Sequence, residues 1–151
     1  MNNVIENLVI RKISVEDADE INRIQAGIIK SPKNTDFRRI IEGQVRKEDE
    51  EVSFVAEIDG KVVGYMISYI IYAAFGLDKS AWIATLGVDP RFMGQGIGKE
   101  LAEEIFKFYS ERNIKHILTS VRWDSVDLLS FFKTLGFDRS HFINLEKELD
   151  S

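Results

Sequence analysis

The spacing of apolar positions changes several times along this chain. NLVIRKI (7–13) mixes branched aliphatics with basic residues and reads as an opening strand. From Ser14 the spacing lengthens. Ala18, Ile21, Ile24 and Ile28 fall on one helical stripe, and Ser14 with Asp17 three residues on forms a capping box. TDFRRIIEGQVRK predicts a second helix, capped by Thr35 or Asp36. EVSFVAEIDGKVVGYMISYIIY holds two strand-like runs joined at Asp59-Gly60, a strong hairpin signal. SAWIATLGV (80–88) is a third run, expected to carry Trp82, Ala84, Leu86 and Val88 on one face, and Pro90 stops its pairing. Ile97, Leu101, Ile105 and Phe108 restore helical spacing. KHILTSVRW (115–123) reads as a buried strand, and DSVDLLSFFKTLGF as a short helix stopped at Gly136. FINLEKEL (142–149) alternates and predicts a last strand. The order is β-α-α-β-β-β-α-β-α-β, a mixed α/β (α+β) fold with a mostly hairpin-built sheet.

Composition narrows the possibilities. The 151 residues suffice for one domain, expected over 1–151, and no linker or repeat divides them. A net charge of −5 argues against a nucleic-acid module, which needs a clustered basic face. The chain has no cysteine and two histidines, His116 and His141, so no metal site is expected. No apolar run reaches membrane-spanning length, and MNNVIENLVIRK lacks a signal-peptide core. The expectation is a cytoplasmic protein without a membrane partner. The acidic run Glu48 to Glu51 reads most simply as a solvated connection.

The sharpest local feature is VDPRFMGQGIGKEL (88–101), in which Gly94, Gly96 and Gly98 alternate before a helix. A dinucleotide fingerprint fails, because the sixth position from Gly94 is Lys99 and no carboxylate follows at the ribose-binding distance. A P-loop fails too: three residues separate Gly94 from Gly98, and Glu100 replaces the magnesium-binding hydroxyl. One glycine would be enough for a plain turn. Three at alternate positions lay bare N–H groups at a helix start, which suits phosphate oxygens.

V-D-P, G-x-G-x-G and K-E-L together resemble the signature loop of the GNAT superfamily, the acetyl-CoA-dependent N-acyltransferases. LLSFFKTLGF (128–137) is similar to that family's later motif, and INLEKEL to its usual ending. The resemblance spans nearly the whole chain, strongest over 82–137, and implies the GNAT fold, a twisted and mainly antiparallel mixed sheet flanked by helices. It implies that Leu86, Gly87 and Val88 offer backbone groups to the pantetheine arm of acetyl-CoA, with the Leu86 N–H stabilising the oxyanion. Gly94, Gln95, Gly96, Ile97, Gly98 and Lys99 would cradle the pyrophosphate, with Arg91 as a further phosphate ligand. Ser125 stands where many members carry an asparagine that contacts pantetheine or acceptor.

Three departures bear on mechanism. Met93 takes the place of the polar residue that usually begins the loop. Phe132 stands where the family often has a tyrosine acid beside the cofactor, and it cannot give a proton. Neither AWIATLGV nor HILTSVRW carries a carboxylate to act as base. Proton removal is left to water held by Thr85, Asp124 or a backbone carbonyl, or to an amine that arrives neutral, with Asp124 the best candidate among them. The implied reaction is direct acetyl transfer from acetyl-CoA to a primary amine of a small molecule or peptide, without a metal. The alternatives are a protein N-terminal acetyltransferase and a CoA-binding sensor with little turnover. A homodimer is one option for its assembly, and the acidic run would favour a cationic acceptor.

Overall fold

The computed structural model describes residues 6–28, 36–47, 49–72 and 79–150. The opening strand, β1 (Leu8–Lys12), leads through a 3-10 turn at Val15–Asp17 into α1 (Ala18–Ile28). The capping box forms: the Ser14 N–H donates to Asp17 Oδ2 at 2.8 Å. The same carboxylate accepts from Arg11 Nη2 at 2.8 Å, and Arg11 Nε reaches Glu57 at 3.0 Å, fastening β1 to the turn and to its neighbouring strand. α2 (Phe37–Val45) is capped by Asp36, which accepts from the Arg39 N–H at 3.1 Å. Thr35, the other expected cap, lies outside the described residues.

β2 (Ser53–Ile58) and β3 (Lys61–Tyr72) form the predicted hairpin. Asp59 and Gly60 have φ of +50° and +82°, the pair of left-handed conformations that a two-residue turn of this hand needs. β4 (Lys79–Val88), α3 (Ile97–Ser110), β5 (Ile117–Thr119) and α4 (Val126–Thr134) follow. Among the described residues the sheet runs β1-β2-β3-β4-β5, antiparallel except for the parallel β4–β5 pair.

Helices cover both faces. α1 and α2 bury Ile21, Ile24, Phe37 and Ile41 against Val55, Tyr65 and Ile67. On the other face α3 sets Ile97, Leu101 and Ile105 against Ala56, Met66 and Ile83. α3 lies close because β3 has Gly64 beneath it: a Cβ there would stand 3.1 Å from Ile97 Cγ2. A hydroxyl network pins the far end of the same helix. Buried Tyr109 shares a hydrogen bond with Ser68 Oγ at 2.7 Å and accepts from the Val52 N–H at 3.3 Å.

Three expectations need correction. The buried strand expected over 115–123 is only Ile117–Thr119, and those three residues are half-buried. Trp82, Ala84, Leu86 and Val88 do not share a face. Ile67 pairs with Thr85 and Ser68 with Ile83, so Ala84 bulges out of register. Ala81 and Ile83 before the bulge, and Leu86 and Val88 after it, therefore all meet the α3 core. The last strand is also not found. Residues 138–150 make no ladder, and Ile143, Leu145 and Leu149 remain exposed. Alternation supplies a strand's pattern but not its hydrogen-bonding neighbour, and β5 extends for only three residues.

Candidate functional site

The site is built where β4 outruns β5. Among the described residues the two strands pair only at Ala81–Ile83 with Ile117–Thr119, and beyond Ile83 β4 is bonded to β3 alone. The Asp89 N–H donates to the Val63 carbonyl at 2.8 Å, a bond that flanks the facing pair Gly64 and Val88. In an antiparallel ladder the peptide groups of such a pair point away from the partner strand. Val88 faces the open side, and two residues back so does Leu86. Gly87, between them, bonds back to β3. Its lack of a side chain serves Tyr65, whose ring crosses it: a Cβ on Gly87 would lie 2.8 Å from Tyr65 Cε1.

The chain then turns at Asp89. This carboxylate is 3% exposed and accepts from the Arg91 N–H at 3.0 Å, from Arg91 Nη2 at 2.9 Å and from Arg23 Nη1 at 3.4 Å. The Arg91 hydrogen bonds, joined by Arg23, hold it well below the usual carboxylate range. Asp89 thus ties the loop to α1. Arg91, the expected phosphate ligand, has an exposed guanidinium already paired with this carboxylate.

Gly94 and Gly96 adopt φ of +78° and +83°, with open space where side chains would begin. Gly96 caps α3 without any side-chain bond, and the first helical hydrogen bond is Glu100 N–H to the Gly96 carbonyl at 3.1 Å. The N–H groups of Ile97, Gly98 and Lys99 therefore have no helical acceptor and carry the positive end of the helix dipole. Buried Ile97 anchors this turn, while Gln95 is exposed beside it. Lys99 is exposed and stands 3.9 Å from Glu103.

α4 closes the arrangement from behind. Phe131 is the ring that meets the loop: a Cβ on Gly98 would lie 3.1 Å from its Cε1 and Cζ. Phe132 is only 4% exposed and sits in the core, with the rings of Phe131 and Phe137 at 5.2 and 5.1 Å. Ser125 caps α4, its N–H donating to the Arg122 carbonyl at 3.0 Å. Asp124 pairs with Arg122 through bonds of 3.0 and 3.1 Å, which hold its carboxyl below its ordinary value and make it a weak proton acceptor near neutrality.

The structure thus brings Leu86, Val88, Gly96, Ile97, Gly98 and Lys99 to one end of the sheet, and leaves Asp124 in an exposed ion pair. Sequence reasoning missed the role of Asp89 as a hub and the contact of Phe131 with the loop at Gly98. Only the V-D-P signature hinted at the former. Of the other titratable side chains on the strands, Glu57 is paired with Arg11 and Tyr72 with Glu50. The Tyr65 hydroxyl is raised in pKa by burial, against a smaller opposing effect of its bond to Thr85. Among the described residues no group of three or more His, Cys, Asp or Glu could hold a metal. No helix among them is long and apolar enough to cross a membrane.

Comparison with known proteins agrees with this geometry. The profile of the acetyltransferase (GNAT) family matches residues 17–137. An uncharacterised N-acetyltransferase of Methanocaldococcus jannaschii is 25% identical over 148 residues, 93% of this chain, and the chain spans 65% of that relative's length. The N-alpha-acetyltransferase of Sulfurisphaera tokodaii is 29% identical over 135 residues, 85% of this chain and 78% of its own. An aminoglycoside N-acetyltransferase solved with CoA superposes with a TM-score of 0.75 at 16% identity, covering 93% of this chain and 94% of its own. Glycine turn, opened strand pair and family match coincide over the same residues, and the chain belongs to the acetyltransferase (GNAT) family.

Proposed function

We propose that this chain transfers the acetyl group of acetyl-CoA directly to a primary amine on a small molecule or peptide. The observation that carries the reading is the row of unpaired N–H groups at 97–99, on a helix whose first residue shares a core cluster with Leu86 and Val88 of the open side of β4. The loop fits a pyrophosphate in shape as well as charge, because nothing fills the space beside Gly94 and Gly96. The pantetheine arm would continue the sheet beside β4, taking the hydrogen-bonding place that β5 vacates. There the Leu86 N–H would hold the thioester oxygen as it gains charge. A relative in fold is known with CoA bound, which supports the same donor here.

Proton transfer would rest on solvent or on an amine that arrives neutral, since Asp124 is held ionised by Arg122 and Phe132 has no hydroxyl. The same two residues favour a second reading, a CoA-binding sensor with little turnover. Calorimetry with acetyl-CoA, with NAD as control, tests the binding step, and CoA thiol release with a panel of amines and peptide N-termini tests turnover. Tight NAD binding without CoA binding would overturn both readings, and CoA binding without release on any amine would favour the sensor.

A further inference from the structure

We infer that the groove between α2 and β3 is an anion subsite for the acceptor, so that the amine to be acetylated also carries a carboxylate or a phosphate; this rests on the acetyl-transfer reading above. The groove is a cleft open to solvent with a volume of about 520 Å³, and Arg39, Arg46 and Lys47 line it beside Tyr69 and Ile67. Arg39 stands in the first turn of α2, and Arg46 and Lys47 follow at its C-terminal end, so the three cations line the groove along the length of the helix. None of their charged groups has a partner among the described residues. The carboxylate in the groove wall, Glu51, has one oxygen engaged with the sheet: its Oε2 accepts from the Ile70 N–H at 2.9 Å. The Gln44 amide is likewise engaged, donating to the Ser68 carbonyl at 2.6 Å. Gly43 leaves the rim open, with nothing within 4 Å of where its Cβ would be.

The groove is therefore rich in donors and positive charge and poor in acceptors. The lining itself carries three basic side chains and one acidic one, in a chain of net charge −5. Two arginines suit a planar or tetrahedral oxyanion better than lysines would, because each guanidinium can donate two parallel bonds. The position suits an acceptor as well. Ile67 of the groove pairs with Thr85, next to Leu86 on β4, and packs on the α1–α2 face of the sheet. An acceptor held by its anion at α2 would direct its amine along β3 toward the open end of β4.

The test uses the full chain and matched amines: O-phosphoethanolamine against ethanolamine, and β-alanine against β-alaninamide. Each is measured by CoA thiol release with acetyl-CoA and by calorimetry with CoA present. At least one charged member should be handled about tenfold better than its neutral partner, a difference of about 1.4 kcal/mol. Arg39→Gln combined with Arg46→Gln should bring that ratio near one, with acetyl-CoA affinity and Tm unchanged. Whichever charged amine wins assigns the subsite to phosphate or carboxylate. Equal handling of both members in each pair, no binding of any of the four, or a preference that survives the double variant would overturn the subsite. Failure of wild type to bind acetyl-CoA would overturn the transfer reading instead. In that event, titration with inorganic phosphate or acetate alone still decides the groove, through binding to wild type that the double variant loses, or through its absence.

Discussion

Gly96 combines a φ of +83° with open space where a side chain would begin, directly ahead of three unpaired amides. Gly96→Asp would strain the backbone and set a negative charge against the proposed pyrophosphate. The expected result is at least about a tenfold rise in the Kd for acetyl-CoA, near 1.4 kcal/mol. Lys99→Ala should change it less than about threefold, because that ammonium is exposed, screened and near Glu103. Calorimetry on both variants checks the contrast, and equal effects would place the phosphate contact on the side chain. Gly87 makes a different demand. Its Cβ would meet the buried Tyr65 ring at 2.8 Å, and that ring is wedged against Phe37 with centroids 5.8 Å apart. Gly87→Ala should therefore cost about 1–3 kcal/mol, read from urea unfolding. An unchanged midpoint would mean that the ring can swing aside.

Elements meet at the site through α4 and α3. Phe132 lies in the core between Phe131 and Phe137, so Phe132→Tyr would bury a hydroxyl among apolar rings and should lower stability by about 1–3 kcal/mol. Phe131→Ala should act elsewhere, raising KM for acetyl-CoA by removing the ring behind Gly98 while Tm falls only modestly. Comparing Tm and KM in the two variants separates the roles. A larger KM effect from position 132 would move the cofactor contact to that ring. At the other end of α3, Tyr109 joins the helix to β2 and β3 through Val52 and Ser68. Tyr109→Phe leaves the buried Val52 N–H without its acceptor and should cost about 1–2 kcal/mol in unfolding free energy.

For the whole molecule, two carboxylates join separate parts of the fold. Asp17 links the α1 turn to β1: burial opposes its charge, but the Arg11 hydrogen bonds and the Ser14 N–H outweigh burial and leave its pKa lowered. Asp89, lowered mainly by Arg91, links α1 to the loop. Carboxyls with depressed folded pKa values contribute stability that is fully present above the unfolded value of about 3.9 and is lost as pH falls further. The urea midpoint should be flat near neutrality, with respect to these groups, and should drop below about pH 4. Asp89→Asn should flatten part of that drop. An acid limb of the same slope in the variant would remove Asp89 from the linkage.

The sequence by itself determined what depends on neighbours a few residues apart. The Ser14–Asp17 box, the Asp59-Gly60 turn, the stripes of α1 and α3, the Gly136 stop and the left-handed glycines before α3 are set by local sterics and nearby hydrogen bonds, so residue order suffices to read them. The motifs at 88–101 and 128–137 located the loop and its backing helix for the same reason. Tertiary structure decided whatever needed a partner distant in sequence. The bulge at Ala84 depends on β3, and it returns Leu86 and Val88 to the α3 core despite their alternation with Trp82. Residues 142–149 have the alternation of a strand, yet a strand exists only with a neighbour to share its hydrogen bonds. Asp89 became a hub because Arg23, 66 residues away, reaches it. Which ring of the Phe131–Phe132 pair meets the loop depended on how α4 rolls against α3, an angle fixed by packing and not by spacing.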